Sequence, residues 1–244
     1  MTRPEPGTIH GLGLGPGAAD LMSLRAHRIL TGARHVAHFR KRGRPGHARS
    51  IAEGLLHPEA REIAMEYPVT TEIPVTDPRY NAVLSAFYGD CAARLRALAE
   101  TGADVAVLCE GDPFFYGSFM HLHSRLAPHV PVRVTPGITG MSAAWTATGQ
   151  PVAWGDDVVT VLPATLPEDA LARRIAGSDA VVVMKIGRNL PRLRRAVAAA
   201  GRTDAAFLVE HAAMAGERVL ALAEAPDTAP YFSILVIHGQ GRRP

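Results

Sequence analysis

Cysteine is almost missing from this chain of 244 residues. Cys91 and Cys109 are the only two, both in apolar surroundings and without metal-ligand spacing. That excludes a disulfide framework and a structural zinc site. Lysine is nearly absent too, with Lys41 and Lys185 alone, a bias that reads as codon usage rather than as a physical signal. Aromatic residues make up 6% and the net charge is only +3. A balance so small and dispersed, with no basic-aromatic surface, does not point to nucleic acid as a partner. No apolar run approaches a membrane span, and the N-terminal stretch has no apolar signal core. The chain is therefore expected to be soluble and cytoplasmic, without a membrane partner. The eleven histidines show no zinc-type spacing with a third ligand, so no metal is expected. Ser-His-Asp and Cys-His constellations are likewise missing, which argues against nucleophilic catalysis.

What is present is an ordinary enzyme-like composition, 47% apolar and 20% charged, long enough for one large domain or two modest ones. Strand and helix patterns alternate along the chain, as in an α/β protein. Gly149-Gln150-Pro151 and Trp154-Gly155-Asp156 read as a linker, so domains of residues 1–149 and 150–244 are expected. The second carries strands at 158–162, 180–186, 205–209, 218–223 and 231–238, the last two forming an antiparallel edge.

The stretch that organises the sequence is Leu108-Cys109-Glu110-Gly111-Asp112-Pro113-Phe114-Phe115-Tyr116-Gly117. The apolar run Val105-Ala106-Val107-Leu108 reads as a buried parallel strand, and the glycine, carboxylate and proline after it stop the strand and turn the backbone. Ligands of open α/β sheets gather at strand carboxyl ends, so a site is expected here; a turn whose aromatics merely cap the core is the alternative. Gly13-Leu14-Gly15-Pro16-Gly17 forms a second strand-to-helix turn, followed by Asp20 in position to cap a helix. Its spacing fits neither the dinucleotide fingerprint nor a Walker A loop, and Pro16 donates no backbone hydrogen bond to a phosphate. Thr135-Pro136-Gly137-Ile138-Thr139-Gly140 is a third such turn, opening a helix of small residues. The densest positive charge, Arg40-Lys41-Arg42-Gly43-Arg44, reads either as a solvated loop or as a lid whose arginines pair with a polyanionic ligand.

The Gly13–Gly17 loop, the Gly111-Asp112-Pro113 turn with Tyr116-Gly117, and Pro136-Gly137-Ile138-Thr139 occur in this order in the tetrapyrrole methylase family, which the chain resembles over essentially its whole length. The run from Gly111 through Met120 with the following Leu122-His123, and the segment Met184-Lys185-Ile186-Gly187, are most similar to the branch that methylates precorrin-2 at C(20); the branch acting on the cobalt-loaded substrate, or another methylase of the same fold, is the alternative. The resemblance implies a two-domain tetrapyrrole methylase-like α/β fold, each domain a mixed sheet flanked by helices, with the active site in the interdomain cleft. It also implies S-adenosylmethionine as methyl donor, leaving as S-adenosylhomocysteine, and a homodimer. Carried over by motif, the donor contacts are Pro16, Glu110, Gly111, Asp112, Tyr116, Thr139 and Gly140. In the second domain they are Ile186, Ala212, Ala213, Ser233 and Ile234. The tetrapyrrole would meet Gly15, Arg40, Arg42, Arg44, Tyr67 and His121. Transfer from sulfonium to an electron-rich bridge carbon needs mainly orientation and a base for the departing proton. Tyr116 and Asp112 are the leading candidates, with Glu110 and His121 beside them.

Overall fold

In the computed structural model, which describes residues 5–69 and 77–241, the contacts divide the chain into two units between Thr139 and Gly140. The first unit runs β1 (Ile9–Gly13), α1 (Leu24–Gly32), β2 (His35–Lys41), α2 (His47–Ile51), β3 (Arg61–Tyr67), α3 (Pro78–Ala99), β4 (Val105–Cys109), α4 (Phe119–Leu126) and β5 (Val132–Thr135). Its sheet has the order β3-β2-β4-β1-β5, and every pairing is parallel. Parallel strands need crossover helices, and those helices cover both faces. The period of two sorts the side chains accordingly. Ile9, Val105, Val107 and Cys109 pack with Leu95, Phe119, Leu122 and Leu126 from α3 and α4. Leu12, Ala106 and Leu108 pack with Ala26, Leu30, Ala48 and Ile51 from α1 and α2. Gly11 admits the ring of Phe119, whose Cζ would lie 2.4 Å from any Cβ there.

Helix starts follow local chemistry, with one correction. Asp77 caps α3, its Oδ1 accepting from the Arg79 amide at 2.9 Å with proline at the first helical position. Asp20 does not cap α1. It sits in a short 3-10 turn, Ala19–Leu21, and Ser23 takes the capping role by accepting from the Ala26 amide at 3.2 Å. The basic run is also more ordered than a loop. Arg40 and Lys41 finish β2, and α2 begins at His47.

The second unit begins with α5 (Gly140–Ala147) and continues through β6 (Val159–Pro163), α6 (Glu168–Ala176), β7 (Ala180–Met184), α7 (Leu190–Ala199), β8 (Ala206–Glu210), β9 (Arg218–Ala221) and β10 (Ser233–Ile237). Its sheet runs β6-β7-β10-β8-β9. β6 and β7 are parallel and the other pairings antiparallel, so the mixture of strand directions lies here. β9 and β10 do not pair with each other; both bond to β8. The helices α6 and α7 cover one face over Leu208, Leu235 and Ile237. Ala144 of α5 packs with Val209 and Val236 on the other. That packing is why the division falls ten residues before the expected linker. The segment 150–157 is instead pinned within this unit: Asp157 accepts from the Trp154 amide at 2.8 Å, and His238 Nδ1 lies 3.0 Å from the Pro151 carbonyl.

Candidate active site

Three loops meet at the carboxyl ends of β1, β4 and β5 in the first unit, and backbone atoms hold them together. The Leu14 amide donates to the Cys109 carbonyl at 2.9 Å, and the Gly111 amide donates to the Gly15 carbonyl at 2.7 Å. A Cβ at Gly13 would lie 2.4 Å from the Gly137 nitrogen, and one at Gly137 would lie 2.0 Å from the Gly111 oxygen. Only glycine permits this approach. Asp112 closes the cluster: Oδ1 accepts from the Phe114 amide at 2.8 Å and Oδ2 from the Gly137 amide at 3.0 Å. The three glycine motifs therefore describe one interlocked structure, and Asp112 is its brace.

From this base the loops present apolar side chains to solvent. Phe114 is 48% exposed, Tyr116 43% and Ile138 42%. Gly15 and Pro16 are buried, Thr139 and Glu110 half-buried. Burial pushes the Glu110 carboxyl up to about 7. Next to the loop, Ser118 precedes α4 but makes no side-chain cap. Its hydroxyl is taken by Tyr67 of β3 and by the Tyr88 hydroxyl of α3, the latter at 3.1 Å. Tyr67 stacks on Phe39 with ring centres 5.4 Å apart, and His121 stacks on Tyr88 at 4.5 Å. Partial burial and the Arg125 guanidinium hold His121 below the usual imidazole range. The structure thus brings Tyr67, His121 and the Tyr116 loop to one end of the sheet. Sequence reasoning missed Ser118 and Tyr88; a serine directly before a helix signals a cap, and nothing local reveals that two tyrosines claim it.

The arginines are partly engaged. Arg40 Nη2 reaches Glu66 Oε1 at 2.6 Å, and Arg49 Nε reaches Glu62 Oε2 at 2.6 Å. Glu62 also meets His38, whose buried ring burial holds below the ordinary imidazole value. Arg42 and Arg44 are exposed in the turn after β2.

In the second unit the expected donor contacts separate by face. Gly140 and Ile234 adjoin: a Cβ at Gly140 would meet Ile234 Cδ1 at 3.4 Å. Ile186 is fully buried in the core with Leu190 and Leu193, so its side chain is closed to a ligand. Ser233 faces that same core, its hydroxyl donating to the Pro230 carbonyl at 2.9 Å. Ala212 and Ala213 lie in the turn after β8. Among the described residues, the non-glycine positions with left-handed backbone are Tyr116 (φ 55°), Lys185 (56°), His211 (52°) and Ala213 (57°). Each lies in a turn following β4, β7 or β8, at or beside an expected donor contact. Such conformations cost about 1–3 kcal/mol each and persist only where the surrounding structure holds them. Among the described residues no group of three or more metal-binding side chains occurs, and no helix is long and apolar enough to cross a membrane.

Three interlocked glycine loops at the carboxyl ends of a parallel sheet, followed by a second α/β unit, define a ligand-binding α/β enzyme fold. The chain belongs to the Tetrapyrrole (Corrin/Porphyrin) Methylases, whose pattern matches residues 8–226. It is 48% identical over 239 residues to the precorrin-2 C(20)-methyltransferase of a Sinorhizobium species, covering 98% of each chain. It is 27% identical to the cobalt-precorrin-2 C(20)-methyltransferase of Salmonella typhimurium, covering 96% of this chain and 97% of that one. The uroporphyrin-III C-methyltransferase of Thermus thermophilus, solved in complex with S-adenosylhomocysteine, shares the fold with a TM-score of 0.68 at 21% identity, covering 95% of this chain and 92% of that one.

Proposed function

We propose that this protein transfers the methyl group of S-adenosylmethionine to C(20) of precorrin-2, giving precorrin-3A in cobalamin biosynthesis. The observation that carries this reading is the 48% identity spread over 98% of both chains. The lower identity to the enzyme named for the cobalt-loaded substrate favours the metal-free macrocycle.

The site chemistry suits the reaction. Exposed apolar surface at Phe114, Tyr116 and Ile138 fits a flat macrocycle, and Arg42 and Arg44 fit its carboxylates, with Arg40 shared between Glu66 and the ligand. Pro16, Gly111, Thr139, Gly140, Ala212, Ala213 and Ile234, with the segments around Ile186 and Ser233, are the proposed donor contacts. Tight turns and small residues there suit recognition through backbone groups. When bound, the donor supplies an electrophilic methyl on a sulfonium whose leaving group is a neutral thioether. The chain's own contribution is to fix the two molecules in line and exclude water, worth roughly 7–11 kcal/mol of a barrier. Asp112, with both oxygens engaged, acts through the loops it joins, while Tyr116, exposed on its left-handed turn, is the proposed substrate contact. A homodimer in the cytoplasm completes this reading, and light scattering tests the oligomeric part.

The deciding experiment incubates the protein with the donor and either precorrin-2 or its cobalt complex, then locates the new methyl by NMR. Methylation of precorrin-2 at C(20) is expected. A methyl at another carbon, or turnover only with cobalt bound, overturns the assignment.

A further inference from the structure

Glu110 is an anomaly within the loop cluster. Its carboxyl makes no hydrogen bond and no ion pair among the described residues, and its oxygens are not among the fully buried unpartnered atoms, so they stay open to a ligand. Its backbone, by contrast, is fixed from both sides. The carbonyl before it, on Cys109, accepts from Leu14, and the amide after it, on Gly111, donates to Gly15. A rigidly placed, half-buried carboxylate with nothing to hold sits at the carboxyl end of β4, the central strand of its sheet. That is where parallel sheets bind their ligands.

We propose that Glu110 is the base that removes the proton from the tetrapyrrole carbon receiving the methyl group. This rests on the methyltransferase reading above. In the step, the carbon's π electrons form the new C–C bond while the S–CH3 pair leaves on sulfur. The C–H pair then returns to the conjugated system, and the proton passes to a Glu110 carboxylate oxygen and on to water. No further reactant is needed. The competing carboxylate, Asp112, has both oxygens occupied by amides.

Glu110 is poised for this because burial alone raises its pKa to about 7, near the value that serves a base at neutral pH. The charged groups around it leave it alone. His38 of β2, in register with Leu108, is turned to Glu62, and Arg40 to Glu66. Neither the Leu12–Gly17 segment nor Pro136–Thr139 carries an ionisable side chain.

The test measures kcat and kcat/KM for wild type, E110Q and E110D between about pH 5.5 and 9, with S-adenosylhomocysteine affinity measured by calorimetry in parallel. Wild-type kcat should rise through an ionisation near 7. E110Q should lose about 10²–10⁴-fold in kcat and show no such limb, with its affinity for S-adenosylhomocysteine retained. E110D should keep the limb at reduced rate, which also decides the matter should E110Q fail to fold. An E110Q enzyme with wild-type kcat, or with the limb intact, overturns the assignment. So does a loss confined to donor affinity, since Glu110 would then be a donor contact only. A wild type that binds S-adenosylhomocysteine but leaves precorrin-2 unmethylated overturns the substrate reading, and this assignment with it; an active wild type beside an unimpaired E110Q overturns this assignment alone.

Discussion

Replacing Glu110 by glutamine should make the ligand-free protein more stable, and only above mildly acidic pH. The carboxyl rises from its ordinary 4.5 to about 7 through burial, so the folded state holds the proton more tightly than the unfolded one. Below both values glutamate is neutral in either state and resembles glutamine. As pH climbs from 4.5 to about 7, the unfolded carboxyl ionises freely while the folded one resists, and stability drains away. At 1.36 kcal/mol per tenfold change in proton affinity, the difference between E110Q and wild type should grow by about 2.5 kcal/mol between about pH 5 and pH 8. For a protein this size that amounts to a relative rise in Tm of about 5–10 °C. Circular dichroism is the suitable probe, because both tryptophans, Trp145 and Trp154, belong to the second unit and not to the one holding Glu110. A Tm difference that stays constant across this range would refute the reasoning, since it would mean that water or a partner compensates the charge.

Other substitutions test the loops around it. D112N keeps the size of the brace but loses its charge and one acceptor, and should cost about 1.5–3 kcal/mol for the weakened contact to the Phe114 or Gly137 amide, read as a fall in denaturant midpoint. G137A would place a Cβ 2.0 Å from the Gly111 oxygen; it should abolish S-adenosylhomocysteine binding in calorimetry or prevent soluble expression. Replacing Arg42 and Arg44 together by alanine should raise KM for the tetrapyrrole by tenfold or more, about 1.4 kcal/mol, while leaving donor affinity unchanged. An unaltered KM would return that turn to the role of a solvated loop.

The central strand of the first unit was legible because it is a continuous apolar run bounded by glycine. Val105–Cys109 could scarcely be anything else. The meeting of Gly13, Gly111 and Gly137 was not legible in the same way: each glycine signals a turn, but which backbone it admits is a long-range fact. The brace role of Asp112 was hidden for that reason, since one of its acceptors serves an amide 25 residues away. Ser233 and Ile186 were expected as donor contacts, without a side-chain direction. The pleat turns Ser233 into the helix-covered core, and Ile186 is sealed under α7. A motif identifies a position without saying which way its side chain points. The pairing of Arg40 and Arg49 with Glu66 and Glu62 was equally obscure, because β2–β3 register supplies the first partner and the placing of α2 beside β3 the second.

The placing of β10 between β7 and β8 has a consequence for how the second unit comes into being. Of the described strands, the one synthesised last fills the middle of its sheet. Until it emerges from the ribosome, β6-β7 and β8-β9 are two separate ribbons with open edges, each exposing apolar surface. A chain halted before Ser233 would keep four of five strands yet have no continuous sheet, and should be drawn to chaperones or aggregates instead of forming a smaller version of the unit.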